Sequence, residues 1–289
     1  MDKPIRLLIT HQNPDEDAIA ACWLFMGFGG QPFTSAELYF VPAGETISDE
    51  TLRAKGVDRD ETVHVDTGMG PYDHHQPDNT LHDSATERVY NYLASGNPAI
   101  KEDKALKRMV AVITDIDHFG NCWWPEAAND RYNFMLEELL RGLRGARSFT
   151  DHELVNFGII CLDGIYNRFK SIIKAEQDIV SLGRDFKCKW GKALMIENKN
   201  EEVMKIAMKS GYMLVVRRDP ETRFMRLKAV PERGIDLKPV YDQLVAIDQT
   251  GTWYFHPSRA MVLNGSEHNP NHVPTPLSLE QVVEIIKNI

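Results

Sequence analysis

The sequence predicts an α/β protein of two unequal lobes. An N-terminal metal-binding lobe is built on a doubly wound, largely parallel sheet, a helical connector follows, and a smaller α+β lobe closes the chain. Three observations predict this. The 289 residues exceed what one ordinary domain needs. Short β-branched runs alternate with helix-length segments through the first half. Charge is unevenly spread: residues 1–183 hold 17 Lys and Arg against 29 Asp and Glu, whereas residues 184–289 hold 16 against 13. With 43% hydrophobic and 26% charged residues, the composition excludes a disordered or fibrous chain. No apolar run approaches the ~18 residues that cross a bilayer, and the opening MDKPIRLLIT has no signal-peptide core. A cytosolic (cytoplasmic) protein with no membrane partner is therefore expected. Cys22, Cys122, Cys161 and Cys188 are scattered singly, which argues against a zinc knuckle or disulfide framework and for buried free thiols.

Each element has a local reason. Ile5 to Thr10 is a β-branched apolar run, followed by His11 and a helix from Asp17 through Phe28. Leu38 to Val41 and Thr62 to Val65 are further strands, set between loops rich in Gly, Asp and Pro. The pattern Ser84-Ala-Thr-Glu87 caps a helix ending near Gly96, and Lys104 to Thr114 has helical periodicity. Arg131 to Arg147 and Thr150 to Phe186 lack proline and read as helices. The second is long enough to join domains, with Gly164 and Gly183 as points of interruption. Strands are expected at 193–196, 212–217 and 223–230. In the last, Met225, Leu227 and Ala229 alternate with Arg226 and Lys228, giving an apolar and a basic face. Helices are expected at Glu201 to Lys209, Leu237 to Ile247 and, after the Ser278 cap, Leu279 to Asn288. The implied domains are 1–148, 149–186 and 187–289.

The functional signal is a set of hard-metal ligands at the ends of apolar runs. His11-Gln-Asn-Pro-Asp15-Glu-Asp17 follows the first strand, Asp66 follows TVHV, Asp73-His74-His75 comes next, and Asp115 follows MVAVIT. In an open α/β sheet, loops at the carboxyl edge of the strands converge. Four carboxylates gathered there would repel one another unless cations neutralise them. Mixed oxygen and imidazole donors suit Mn²⁺, Fe²⁺ or Co²⁺, and two divalent ions, with Mn²⁺ favoured, are the expected cofactors. A single Asp at a strand end is ordinarily a cap or turn residue, so it is the ordered combination that counts. His64, His82, His118, His152, His268 and His272 read as ordinary polar histidines.

His11, Asp15 and Asp17, then Asp66, then Asp73-His74-His75, then Asp115 in ITDIDHFG resemble the four motifs of the DHH phosphoesterase superfamily. That group includes RecJ-type exonucleases, oligoribonucleases, cyclic-dinucleotide-product phosphodiesterases and family II inorganic pyrophosphatases. The short Gly68-Met-Gly-Pro-Tyr72 link into Asp73-His-His-Gln76 is similar to the Myg-type exonuclease branch. The resemblance implies that His11, Asp15 and Asp66 hold one metal and that Asp17, Asp66, His74 and Asp115 hold the other, with Asp66 bridging. Asp117 is the alternative to Asp115, either as a ligand or as a supporting acid. His75 would contact phosphate and Asp73 would orient the histidine pair. The implied activity is Mn²⁺-dependent hydrolysis of short single-stranded oligonucleotides or dinucleotides by a metal-activated hydroxide. A phosphomonoesterase or pyrophosphatase, or a non-catalytic metal- and nucleotide-binding module, is the alternative.

In the second lobe His256, Ser258, Arg259, Asn264, Gly265 and Ser266 combine residue types that suit phosphate binding. Their position resembles the C-terminal substrate-binding domain that accompanies DHH domains, although the GGGH loop of that domain is absent. The Ser-Arg-Lys-Lys signature of family II pyrophosphatases is absent too. Arg226 and Lys228, with Arg217 and Arg218 nearby, would line a groove for a short strand. Phe119, Trp123 and Trp124 follow the last motif, and Trp124 is a candidate to stack on a base, with core packing as the plainer alternative. The expected partners are thus a phosphate-ester substrate and a second copy of this chain.

Overall fold

Strand β1 (Leu7–His11) is buried along nearly its whole length because apolar layers cover both its faces. Leu8 joins a core with α1 (Glu16–Phe28), while Leu7 and Ile9 face a smaller cluster of Val41, Ile47, Leu52 and Val57. The alternation follows from the two-residue period of a strand. β2 (Glu37–Val41) and β3 (Thr62–His64) pair with β1 on either side, both in parallel, giving the order β2-β1-β3. α2 (Asp49–Lys55) lies between them in sequence. α3 (Ala85–Gly96), α4 (Pro98–Glu102), α5 (Lys104–Asp117) and α6 (Leu136–Ala146) follow, and the larger core gathers residues from α1, α3, α5 and α6. In this computed structural model residues 3–146, 149–265 and 271–289 are described. The chain divides into two compact units, Met1–Phe169 and Lys170–Ile289, the boundary falling inside α7 (Asp151–Leu182).

α7 opens on a full capping box: the Glu153 amide donates to Thr150 Oγ1 (3.2 Å) and the Thr150 amide donates to Glu153 Oε2 (2.9 Å). It runs unbroken through Gly164 and stops at Leu182, short of the expected Phe186. Residues 184–188 instead form β4 (Arg184–Cys188), which turns back antiparallel onto β5 (Gly191–Glu197). Strand pairing outweighs the helical reading there, as tertiary context often does. Of the four free cysteines, only Cys22 is buried; Cys122 is exposed and Cys161 and Cys188 are half-buried.

The second unit is a six-stranded mixed sheet in the order β4-β5-β6-β7-β9-β8, with β6 (Leu214–Arg218), β7 (Met225–Ala229), β8 (Trp253–Phe255) and β9 (Met261–Asn264). β5 and β6 are parallel and the other pairs antiparallel. α8 (Glu202–Lys209) contributes Val203, Met204, Ile206 and Ala207 to one apolar cluster, and α9 (Lys238–Ile247) with α10 (Leu279–Lys287) contributes to the other. The protein is thus a mixed α/β structure with a parallel three-stranded sheet, a helical region and a separate mixed sheet. Among the described residues no helix is long and apolar enough to cross a membrane.

One buried carboxylate ties the second unit together. Asp248 accepts from the Thr250 and Gly251 amides (3.0 and 2.7 Å), from Thr250 Oγ1 (3.0 Å), from the Trp253 indole (2.8 Å) and from Thr275 Oγ1 (2.5 Å). Burial opposes its charge, but these donors hold its pKa well below the ordinary 3.8. Because the folded-state pKa is the lower one, its stabilisation is complete above about pH 4 and is lost as pH falls toward the folded value. Asp248→Ala is expected to lower stability by about 3 kcal/mol at pH 7, and the deficit against wild type should shrink below about pH 4. Urea denaturation followed at pH 7 and pH 3 measures both, and an equal deficit at the two values would contradict the assignment.

Candidate metal centre

His11 ends β1, and its Nδ1 donates to the Gln12 carbonyl (2.9 Å). That bond occupies the Nδ1 proton and leaves Nε2, 3.2 Å from Asp66 Oδ2, to donate to the carboxylate when protonated or to offer its lone pair to a cation when not. The loop that follows turns at Asn13, whose φ of 52° is left-handed and whose amide donates to Asp151 Oδ1 (3.0 Å). Asp15 is the N-cap of α1, with one oxygen accepting from the Ala18 amide (3.0 Å). Asp17, in the first turn of α1, is fully buried. Its oxygens accept from the Ala85 and Thr86 amides (2.8 and 2.9 Å), so it also secures the start of α3.

The second strand-end acid, Asp66, sits just past β3 with φ 52°, held by its amide donating to the Tyr72 carbonyl (2.9 Å). A non-glycine residue in the left-handed region is uncommon and persists where the surrounding contacts fix it. Asp73 is wholly buried. Its carboxylate accepts from the Met69 amide (2.7 Å), the His75 amide (3.1 Å) and His75 Nδ1 (2.8 Å). Arg88 fastens the same loop by donating to the Asp73 carbonyl and to Gln76 Oε1 (2.9 Å). His74 is thereby set with Nε2 at 3.5 Å from Asp66 Oδ1, 3.5 Å from Asp117 Oδ2 and 3.9 Å from Asp17 Oδ2.

Three of these atoms, Asp66 Oδ1, His74 Nε2 and Asp117 Oδ2, are buried and make no hydrogen bond. Orphaned buried polar atoms are costly, and His74 Nε2, 3.5 Å from each of the two carboxylate oxygens, sits where an added partner could serve it and either neighbour. Donor atoms about 2.1 Å from one ion, at angles between square and tetrahedral, lie about 3.0 to 3.4 Å apart. The separations of 3.2 and 3.5 Å match that spacing. Three overlapping donor groups result: His11, Asp15 and Asp66; Asp66, His74 and His75; and His74, Asp117 and His118. The residues therefore fit divalent cations, with Asp66 shared by the first two groups and His74 by the last two.

Electrostatics agrees. Burial, then Asp66, push the Asp15 carboxyl up against the pull of Ala18, His11 and Arg144. Burial and the carboxylates of Asp66, Asp117 and Asp15 push Asp17 up as well. Burial raises Asp117 to about 6. Asp66 goes the other way: burial opposes its charge, but His11 and His74 hold it well below the usual range. Burial would depress His11, yet the Asp66 hydrogen bond and Asp15 hold it up at about 9. Without cations the charge of this cluster falls on protons; with them the carboxylates ionise.

His118, expected to be an ordinary polar histidine, stands with His74 and Asp117 as a potential ligand, and the fold decides the choice left open between Asp115 and Asp117. Asp117 joins the cluster and Asp115 does not: the Trp124 indole donates to Asp115 Oδ2 (2.7 Å). The buried face of α5 runs through Leu106, Met109, Val110, Ile113 and Ile116. Asp117 is in phase with that face, and a residue two positions away on a helix points elsewhere. Trp124 is likewise pinned to Asp115 and packed on Tyr132 rather than presented to the cluster. Missed from sequence were Glu16, Glu137, Arg141 and Arg144. They line a cavity of about 520 Å³ together with Asp15, Asp17, His74, His75, Asp117 and the exposed Phe119. Helical phase would have found Asp117, whereas the α6 residues carry no local signal.

The candidate phosphate residues of the second unit have other employment. Asn264 is fully buried, donating to the Thr252 and Val273 carbonyls and accepting from the Thr275 amide. Gly265 has φ 93°, and a Cβ there would meet Phe224 at 2.5 Å. Arg259 pairs with Asp236 at 2.5 Å. His256 Nδ1 accepts from the Ser258 amide (3.1 Å) and lies 2.8 Å from Ser258 Oγ. Ser266 and His268 lie outside the described residues. Two of the four residues expected to line the basic groove are also engaged. Arg217 is buried against the Asn198 and Lys199 carbonyls and Asp219, and Arg226 pairs with Glu201.

No protein-family model matches the chain, and no curated protein matches it. Among solved structures it is similar to a DHH domain described as a member of a family of ribosomal proteins, with 13% identity over 98% of this chain and 86% of that one and a TM-score of 0.33. It is also similar to an uncharacterized protein from Helicobacter pylori (12% identity, 98% and 100% covered, TM-score 0.29). A third likeness is to RecJ in complex with Mn²⁺ from Thermus thermophilus (10% identity, 91% and 50% covered, TM-score 0.29). The overlaps are shallow, so what the site can do rests on its own residues.

Removing a ligand and removing its near neighbour should separate cleanly. Asp117→Ala is expected to weaken Mn²⁺ binding by at least about a hundredfold, while Asp115→Ala leaves it within about threefold. Asp66→Ala should lose metal at both donor groups that share it. Titration calorimetry with elemental analysis reads all three, and normal metal content in Asp66→Ala would remove its shared role.

Proposed function

We propose that the chain is a metal-dependent phosphoesterase of the DHH kind. Its reaction is hydrolysis of phosphodiester bonds in short single-stranded oligonucleotides or dinucleotides, with Mn²⁺ the favoured ion. The observation that carries this reading is His74 Nε2 set 3.5 Å from both Asp66 Oδ1 and Asp117 Oδ2, with all three atoms buried and none hydrogen-bonded. His11, Asp15 and Asp66 would hold one ion, and Asp66, His74 and Asp117, with Asp17 alongside, the other. Such a pair of ions supplies an acidified water and neutralises phosphate oxygens.

The chain's own side chains do the rest. Asp73 accepts the His75 Nδ1 proton at 2.8 Å, which orients the ring. That hydrogen bond raises the His75 pKa and so favours the imidazolium, whose Nε2–H would donate to a phosphate oxygen or the leaving oxygen. His75 is the exposed member of the pair, its side chain 56% accessible against 10% for His74, so it faces what enters the cavity. Asp73 acts only through His75 and is a positioning residue. No serine or cysteine nucleophile is required, in keeping with Cys22 lying buried among apolar neighbours.

The test is a substrate panel on metal-stripped protein reloaded with Mn²⁺: pApA, short RNA, short DNA, nucleoside monophosphates and pyrophosphate. Hydrolysis of pApA or short RNA at least about tenfold faster than of pyrophosphate, abolished by chelation, is the expected result. Preference for pyrophosphate or a monoester would replace the diesterase reading. Inactivity on every substrate with metal bound would make the chain a binding module.

A further inference from the structure

α6 puts two arginines one turn apart on the wall of the acid-lined cavity, and they differ in what holds them. Arg141 donates to Glu137 at 2.6 Å and reaches Glu138 at 3.2 Å, so its charge is neutralised within its own helix. Arg144 has no carboxylate within ion-pair distance among the described residues. Its Nη1 donates to the Asn13 carbonyl (3.2 Å) and its Nε reaches the Leu140 carbonyl (3.4 Å), while Nη2 makes no hydrogen bond among the described residues.

Charge balance gives this difference a meaning. The four carboxylates of Asp15, Asp17, Asp66 and Asp117 balance two divalent cations. With Arg141 committed, Arg144 is the remaining permanent positive charge on the described wall of the cavity. A guanidinium is suited to two tasks at once: its planar fork lets one nitrogen keep a carbonyl while another takes an anionic oxygen, which a lysine ammonium does less well. The carbonyl it keeps belongs to Asn13, the left-handed residue that turns the His11–Asp15 loop, and Asp151 holds the other side of that residue.

We propose that Arg144 receives a phosphoryl oxygen of the substrate through Nη2 while Nη1 retains Asn13, which makes it a substrate-binding residue that also positions the metal loop. This rests on the phosphoesterase reading above. A phosphoryl group in the cavity thus meets a cation that the protein supplies, in register with the loop that carries His11 and Asp15.

The experiment measures inorganic phosphate binding to the Mn²⁺-loaded full chain by calorimetry. Arg144→Gln is expected to weaken it by about tenfold or more, the loss of one charge-assisted hydrogen bond, with Arg144→Lys intermediate and Arg141→Gln within about threefold of wild type. On pApA, Arg144→Gln should raise KM by a similar factor with kcat within about threefold. Elemental analysis of each variant separates the two tasks. Phosphate affinity unchanged in Arg144→Gln, or lost only together with manganese, would reduce Arg144 to a clamp on Asn13 and overturn the proposal. If wild type binds phosphate in an Arg144-dependent way but hydrolyses nothing in the panel, the hydrolase reading fails and this assignment stands. Turnover of pApA at an unchanged KM in Arg144→Gln is the reverse case.

Discussion

Four carboxylates drawn into one buried place repel one another and lose their water, and most of the first unit can be understood as a way of holding them there. The response is uneven. Asp66 stays ionised because two imidazoles face it, whereas Asp15, Asp17 and Asp117 are pushed toward their protonated forms. Asp17 recovers part of the lost solvation by accepting the first amides of α3, where a helix N-terminus favours a negative charge. The atoms left over, Asp66 Oδ1, His74 Nε2 and Asp117 Oδ2, make no hydrogen bond and have only the 3.5 Å approaches to His74 to offset their burial. Protons relieve the repulsion alone, whereas a divalent ion would answer both the repulsion and the missing hydrogen bonds.

The backbone bears the strain of this arrangement at specific residues. Asn13 and Asp66 both lie in the left-handed region, each just past the end of a strand. The amide of each donates a hydrogen bond that holds it, Asn13 to the first turn of α7 and Asp66 to its own loop. Asp73 gathers the Met69 and His75 amides around a buried carboxylate, and Arg88 closes the loop from α3. The side chains of the cluster therefore hang from rigid turns at the edge of a short parallel sheet. Preorganisation of this kind keeps ligand geometry fixed without the ion having to supply the ordering.

How much of this was legible in the sequence depends on whether a residue's role is set locally. His11, Asp15 and Asp66 follow strand-like runs directly, so strand ends and the parallel order of the sheet place them. The choice between Asp115 and Asp117 is different, because both follow the same apolar run and only the phase of α5 decides between them. Arg144 and Glu137 reach the cavity from α6, with nothing in their immediate neighbours to mark them. β4 was hidden because its residues extend a helix-compatible run, and only pairing with β5 makes them a strand. α2, β8 and β9 are short and gain their definition from packing and pairing rather than from periodicity.

The second unit shows why residue types alone do not make a site. Asn264, Arg217 and Asp248 are as polar as anything in the metal cluster and as deeply buried. Each is surrounded by partners from its own unit: carbonyls and an amide around Asn264, carbonyls and a carboxylate around Arg217, five donors around Asp248. A satisfied buried network specifies a fold, since it gains nothing from a further ligand. An unsatisfied one is a standing penalty that a ligand removes. The same residue chemistry therefore reads as architecture at Asn264, Arg217 and Asp248 and as a binding site at Asp66, His74 and Asp117, and the difference lies in which of these atoms have been left without a partner.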